Sequence, residues 1–166
     1  MSYNIVNFLG GSATDDKGRY FSEVLNYSDR KLEFTHDFIQ RVFPTCIPSQ
    51  VDSSAPVISK EEANLIKNNP EALINIHCMY KRMMQFYGLA EFYDINRIHK
   101  WYRPYNHNLK RLTRIILALR IFGLDADAKE LYENLKIIEN ELTSEIISIS
   151  RQYWERAFTM ELFSDF

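Results

Sequence analysis

The residues best placed to do chemistry lie in one short run, HNLKRLTR, at positions 107–114. On a helix, side chains three and four apart stand one above another. His107, Arg111 and Arg114 would therefore share one narrow stripe over the first two turns. Asn106 and Asn108 flank the start of that stripe. Two guanidiniums, an imidazole and the unpaired N–H groups of a helix start together suit a carboxylate or a phosphate. Trp101 and Tyr105, just upstream, would stack on or wall such an anion. A buried guanidinium also needs a partner, because an unpaired buried charge costs several kcal/mol. Asp37, beside His36, is the expected partner of one of the two arginines.

Other reactive side chains point to packing. His36 and Asp37 are neighbours, and neighbours on a helix project about 100° apart. They cannot form a dyad with each other, so each would pair across helices in a supporting network. His77 and Cys78 lie in an apolar segment. A Cys–His nucleophile would need an accessible thiol and a third orienting group. Cys78 is expected to be a small core residue, and Met79, Met83 and Met84 core filling. The four histidines and two cysteines show no zinc spacing. No metal, no cofactor and no catalytic residue is assigned.

Charge is unevenly placed. Residues 95–124 carry seven Lys or Arg and no acid, whereas the remainder carries 13 basic and 22 acidic residues. The expectation is that the acidic remainder folds around the basic segment and neutralises most of it. The run RIHKWYRPYNHNLKR also mixes cations with rings, as nucleic-acid surfaces do. A formal net charge of −2 disfavours nucleic acid as the partner. An unnamed peptide or small anionic ligand fits better.

The elements that must position these residues read as helices. Apolar residues are 46 % of the chain and Gly and Pro number five each, which suits one globular domain with few turns. The expected fold is all-α, a single multi-helix bundle of six to eight helices. Residues 1–14 read as a loosely ordered N-terminal segment and residues 15–163 as the domain. A short helix is expected near 19–26, with Tyr20, Phe21, Val24 and Leu25 inward. Ser28 would cap a second that runs through LEFTHDFIQRVF and stops before Pro44. Residues 44–58, with three prolines, cross the surface. Ser59 and Glu62 form a capping box, and Asn69-Pro70 starts a helix that Gly88 ends. Part of 89–105 is helical before Pro104. Leu109, Leu112, Ile115, Ile116, Leu119 and Phe122 make a broad apolar stripe, with Leu117 and Ile121 on the far side. A helix apolar on most of its circumference is buried, so the helix at about 106–122 is the central one. Asp125 and Thr143 are expected caps of the last two helices, the latter using Ile146, Ile149, Tyr153, Trp154 and Ala157. No stretch reaches the roughly 20 apolar residues of a membrane span, and no signal peptide is apparent. Two cysteines fit a reducing compartment. The expected location is cytoplasmic, or nuclear for a eukaryotic source.

Four segments, LEFTHDFIQRVFP, SSAPVISKEEA, RMMQFYGL and HNLKRLTRIILALRIFGLDADAKELYENL, occur in that order. They closely resemble the conserved domain of the opioid growth factor receptor family, over roughly residues 15–160. Free-standing domains of this kind occur in bacteria and fungi. Arg41 stands where the family pattern leads one to expect tryptophan, and Lys110 where it leads one to expect leucine. The resemblance implies an α-helical domain and implies no reaction. The family's vertebrate member is described as a receptor for methionine-enkephalin that restrains proliferation, a role attached to a longer protein.

Three functions follow from these residues. The first is a non-enzymatic module that binds a peptide or small anion at the basic start of the central helix. His107, Asn108, Arg111 and Arg114 would surround the anion, Trp101 and Tyr105 would wall it, and Asp37 would orient an arginine. The second is a scaffold whose charges are paired internally. The third is an enzyme on a phosphorylated substrate, with His107 or His36 as acid–base.

Overall fold

A computed structural model describes residues 4–142 and 147–163. Ten helices lie within them: α1 (Ile5–Leu9), α2 (Phe21–Leu25), α3 (Asp29–Phe34), α4 (Ile39–Val42), α5 (Lys60–Lys67), α6 (Pro70–Tyr87), α7 (Ile95–Trp101), α8 (His107–Ile121), α9 (Asp125–Glu141) and α10 (Ser148–Thr159). The single β feature among the described residues is an isolated bridge between Thr45 and Val57. The chain is all-α, with more helices than the six to eight expected.

α8 is the central rod. Asn106 caps it, its side chain accepting from the N–H of Asn108, and Gly123 follows its end at φ +77°. Ten of its 15 residues are buried, on opposite sides of the helix. Burying each of the large apolar ones contributes ~1.5–3 kcal/mol. α9 and α10 pack along it and α7 meets its head. Trp154 of α10 is 1 % exposed and donates its Nε1–H to the Leu109 carbonyl at 3.1 Å. Of the residues expected in the last helix, Thr143 and Ile146 lie outside the described residues; Trp154 and Ala157 are buried, but Ile149 and Tyr153 are exposed.

Two surplus helices account for the higher number. Residues 5–9, expected to be loose, form α1, with Phe8 and Leu9 fully buried. Five residues are too short for an amphipathic period to show in sequence; tertiary burial stabilises them. The helix expected through 29–43 is two, α3 and α4. Thr35 turns extended at φ −96°, ψ 120°. The carbonyls that a continuous helix would use are taken by arginine side chains. Arg111 donates to Leu32 and Thr35, and Arg19 and Arg41 donate to Asp37. Phe34, at the end of α3, is exposed. In α2, Phe21 and Val24 are buried as expected, but Tyr20 is exposed.

The remaining stops and starts follow local chemistry. The Ser59–Glu62 capping box opens α5, and Asn69 with Pro70 opens α6. Gly88 ends α6 at φ +76°, where a Cβ would stand 2.7 Å from the Asp94 carbonyl. Asp125 is the first residue of α9 rather than its cap.

The crossing at 44–58 is fastened by Arg41. Its side chain is fully buried. It pairs with both oxygens of Asp16 and donates to Asp52 Oδ2 at 2.7 Å and Ser54 Oγ at 2.9 Å. These bonds lower the Asp16 carboxyl. Ser54 and then Arg41 bring Asp52 down to about 2. An arginine can occupy this interior position because two carboxylates neutralise it there.

Candidate functional site

Among the described residues, the acidic remainder leaves most of the basic segment without an ion pair. Among the described residues, Arg97 alone of its seven cations meets carboxylates, those of Asp29 and Asp94. Several other acids pair elsewhere: Asp15 and Asp37 with Arg19, Asp16 and Asp52 with Arg41, and Glu139 with Arg151. Asp37 is therefore not the partner of Arg111 or Arg114. α3 ends three residues before it, at Phe34, and the Asp37 carboxylate accepts from Arg19 Nη1 at 2.7 Å.

Arg111 is 6 % exposed and is satisfied by neutral oxygens. Nη1 donates to the Leu32 carbonyl at 2.8 Å and to Asn108 Oδ1 at 3.3 Å, and Nη2 donates to the Thr35 carbonyl at 2.8 Å. The guanidinium also lies 5.2 Å from the centroid of the Phe38 ring. It closes the C-terminal end of α3, where cations are favoured. Arg114 has much less. Its Nη1 donates to the Phe43 carbonyl at 3.3 Å. Its other nitrogens are not among the buried, unpartnered side-chain atoms, which are Gln40 Oε1 and Tyr102 Oη. They therefore reach open space. Burial lowers the Arg114 guanidinium to about 10, with Asp52 acting weakly in the opposite direction.

The open space is a cleft of about 160 Å³ between α8, α4 and the 44–58 crossing. His107, Lys110, Arg111 and Arg114 line it from α8; Ile39 and Gln40 from α4; His36 from the turn before α4; and Ser49 and Val51 from the crossing. No carboxylate lines it. The His36 and His107 rings meet edge to face at 5.3 Å. His107 Nε2 lies 2.9 Å from Glu33 Oε1, just outside the cleft. Burial and then the Arg111 charge hold His107 below the usual imidazole range, against the pull of Glu33. Lys110 has no ion-pair partner among the described residues.

The structure thus brings His107, Arg111, Arg114 and His36 together and separates the rest. Asn108 is 1 % exposed and committed internally, donating to Glu33 Oε2 and accepting from Tyr87 Oη and Arg111. Trp101 is buried and donates to the Tyr87 carbonyl at 2.8 Å. Both line a different basin, of about 450 Å³, with Arg30, Phe34 and Lys100. Tyr105 walls neither; it stands 97 % exposed at φ +61°. Lys110 was legible as a site residue, since it lies three after His107 and four before Arg114. Gln40, Ser49 and Val51 carried no local signal.

Cys78 is exposed, not core, because it falls on the outer face of α6; Met79, Met83 and Met84 are buried as expected. His77 pairs with Asp127 at 2.6 Å, so α6 is tied to α9 by residues 50 apart. No cluster of three or more His, Cys, Asp or Glu able to hold a metal occurs among the described residues. Among them, no helix is long and apolar enough to cross a membrane.

The molecule is thus a helical-bundle domain with a cationic cleft at the head of its central helix. The chain belongs to the opioid growth factor receptor family, whose conserved region matches residues 4–159. That match includes α1, which the sequence resemblance had left out. No curated protein and no solved structure matches the chain.

Proposed function

We propose that the domain is a non-enzymatic module that binds a small anion, or the anionic end of a peptide, in the cleft at the head of α8. The observation that carries this reading is Arg114. It is a largely buried guanidinium with one long bond to a carbonyl and no carboxylate, and its remaining donors face open space beside Lys110, His36 and His107. Desolvating a cation without a counter-charge is costly, and an anion in the cleft would supply that charge. At about 160 Å³ the cleft is smaller than the ~300–1,000 Å³ of sites for drug-sized ligands, so it suits a single anionic group. Both thiols, Cys46 and Cys78, are free, which suits the reducing cytoplasm.

Arg111 favours a second reading, a scaffold in which the charges serve the fold. Its hydrogen bonds to Leu32, Thr35 and Asn108 are complete without a ligand.

Thermal melts with phosphate, sulfate, carboxylates and short peptides separate the two. An anion at about 100 times its Kd adds ~2.7 kcal/mol to stability. Lys110→Ala and Arg114→Met should each remove that gain while the domain stays folded. If no anion shifts the melt of the wild-type protein, the binding reading fails and the scaffold remains.

A further inference from the structure

Ser49 carries the one hydroxyl among the side chains lining the cleft. It is half-buried, in a stretch of the crossing that has neither helix nor strand. Its Oγ accepts from the N–H groups of Val51 at 3.3 Å and Asp52 at 3.1 Å. Those bonds hold it beside Asp52, which lies near enough to Arg114 to act on its charge. A rounded space of about 160 Å³ is ~7 Å across, the span of a phosphoryl group with ~2.8 Å hydrogen bonds on its far side. The Asp52 carboxylate does not compete for that space, since Arg41 and Ser54 already hold it. Of the neighbouring hydroxyls, Ser54 Oγ is spent between Arg41 and Asp52, and Ser53 does not line the cleft.

We propose that Ser49 is a phosphorylation site whose phosphoryl group fills the cleft from within and shuts out anions from solution. A protein kinase supplies the group from a nucleoside triphosphate. The Oγ–P bond forms as the γ-phosphorus parts from its bridging oxygen, the hydroxyl proton passes to the kinase's base, and the nucleoside diphosphate leaves. The resulting dianion meets Lys110, Arg111 and Arg114, three permanent cations in a lining without a carboxylate. Its oxygens can still accept from the Val51 and Asp52 N–H groups. An irregular surface segment is also the kind of chain that a modifying enzyme can draw out. The proposal rests on the anion-binding reading and adds the regulation of that site.

The test places phosphoserine at position 49 of the whole chain by genetic encoding, and at position 53 in a control. Sulfate should stabilise the unmodified chain. Phosphoserine at 49 should raise Tm by about 4 °C or more and abolish the gain from sulfate. At 53 it should do neither. The phosphorus resonance at 49 should titrate below ~6, the ordinary second ionisation of a phosphoserine, because the cations favour the dianion. In a chain that also carries Arg114→Met, phosphorylation should raise the melt by markedly less. Phosphoserine at 49 that lowers the melt, prevents folding or leaves the sulfate gain in place overturns this inference and leaves the anion-binding reading standing. An unmodified chain that sulfate does not stabilise overturns that reading, and this inference with it.

Discussion

Replacing Arg114 with methionine should make the protein more stable and remove its anion affinity. Burial takes this guanidinium from its ordinary value above 12 to about 10. A cation whose pKa falls on folding destabilises the fold at every pH below the folded value. At pH 7 the whole penalty is present, and it is relieved only as pH rises through about 10. At ~1.4 kcal/mol for each tenfold change in proton affinity, the penalty is roughly 3 kcal/mol. Arg114→Met removes it and gives up one long hydrogen bond to Phe43, worth ~1 kcal/mol. The net gain is about 2 kcal/mol. For a domain of this size that raises Tm by about 4–8 °C. Urea melts at neutral pH measure the first quantity and scanning calorimetry the second. The same variant should show no stabilisation by added anions. Destabilisation by more than about 1 kcal/mol would refute the reasoning, because Arg114 would then be a fold-forming cation and not one awaiting a counter-charge.

Arg111→Ala should do the reverse, destabilising by ~2–4 kcal/mol, because it strands the Leu32 and Thr35 carbonyls and empties the face of Phe38. Urea melts within about 1 kcal/mol of wild type would show that α3 closes without it. Arg41→Met should cost ~3 kcal/mol, the lower end for breaking a buried ion pair, since the Asp16 and Asp52 side chains are 27 % and 17 % exposed and can rehydrate. It should also weaken anion binding by releasing the crossing that carries Ser49 and Val51, which limited proteolysis within 44–58 would register. Asp52 has a folded pKa below its ordinary 3.8, so its stabilisation is complete above about pH 4 and is lost as pH falls through about 2. Asp52→Asn should flatten the fall in stability across that window, and an unchanged acid melt would remove Asp52 from the account. Sulfate stays ionised throughout, so its affinity should rise as pH falls below the usual imidazole range and His107, whose pKa is lowered, gains a proton beside the anion. Titrations that show no such rise would place the anion away from the imidazoles.

What the sequence determined by itself is whatever acts within about one helical turn. The Ser59–Glu62 box, Asn69-Pro70, Gly88, and the apolar circumference of 109–122 each act through neighbours three or four residues away, and each stands in the structure where the pattern put it. The grouping of His107, Arg111 and Arg114 on one stripe belongs to the same class, and so does Lys110, three residues after His107 and four before Arg114. Only the tertiary structure decided what those cations meet. Arg111 reaches 76 residues back to break a helix that its own sequence supports, and Arg19 takes the carboxylate that charge-matching alone would give to α8. The cleft wall comes from a proline-rich crossing fastened by an arginine whose two acids lie 25 and 11 residues away. A guanidinium binds a backbone carbonyl as readily as a carboxylate when packing delivers one, and a carbonyl has no side-chain identity for a sequence to display.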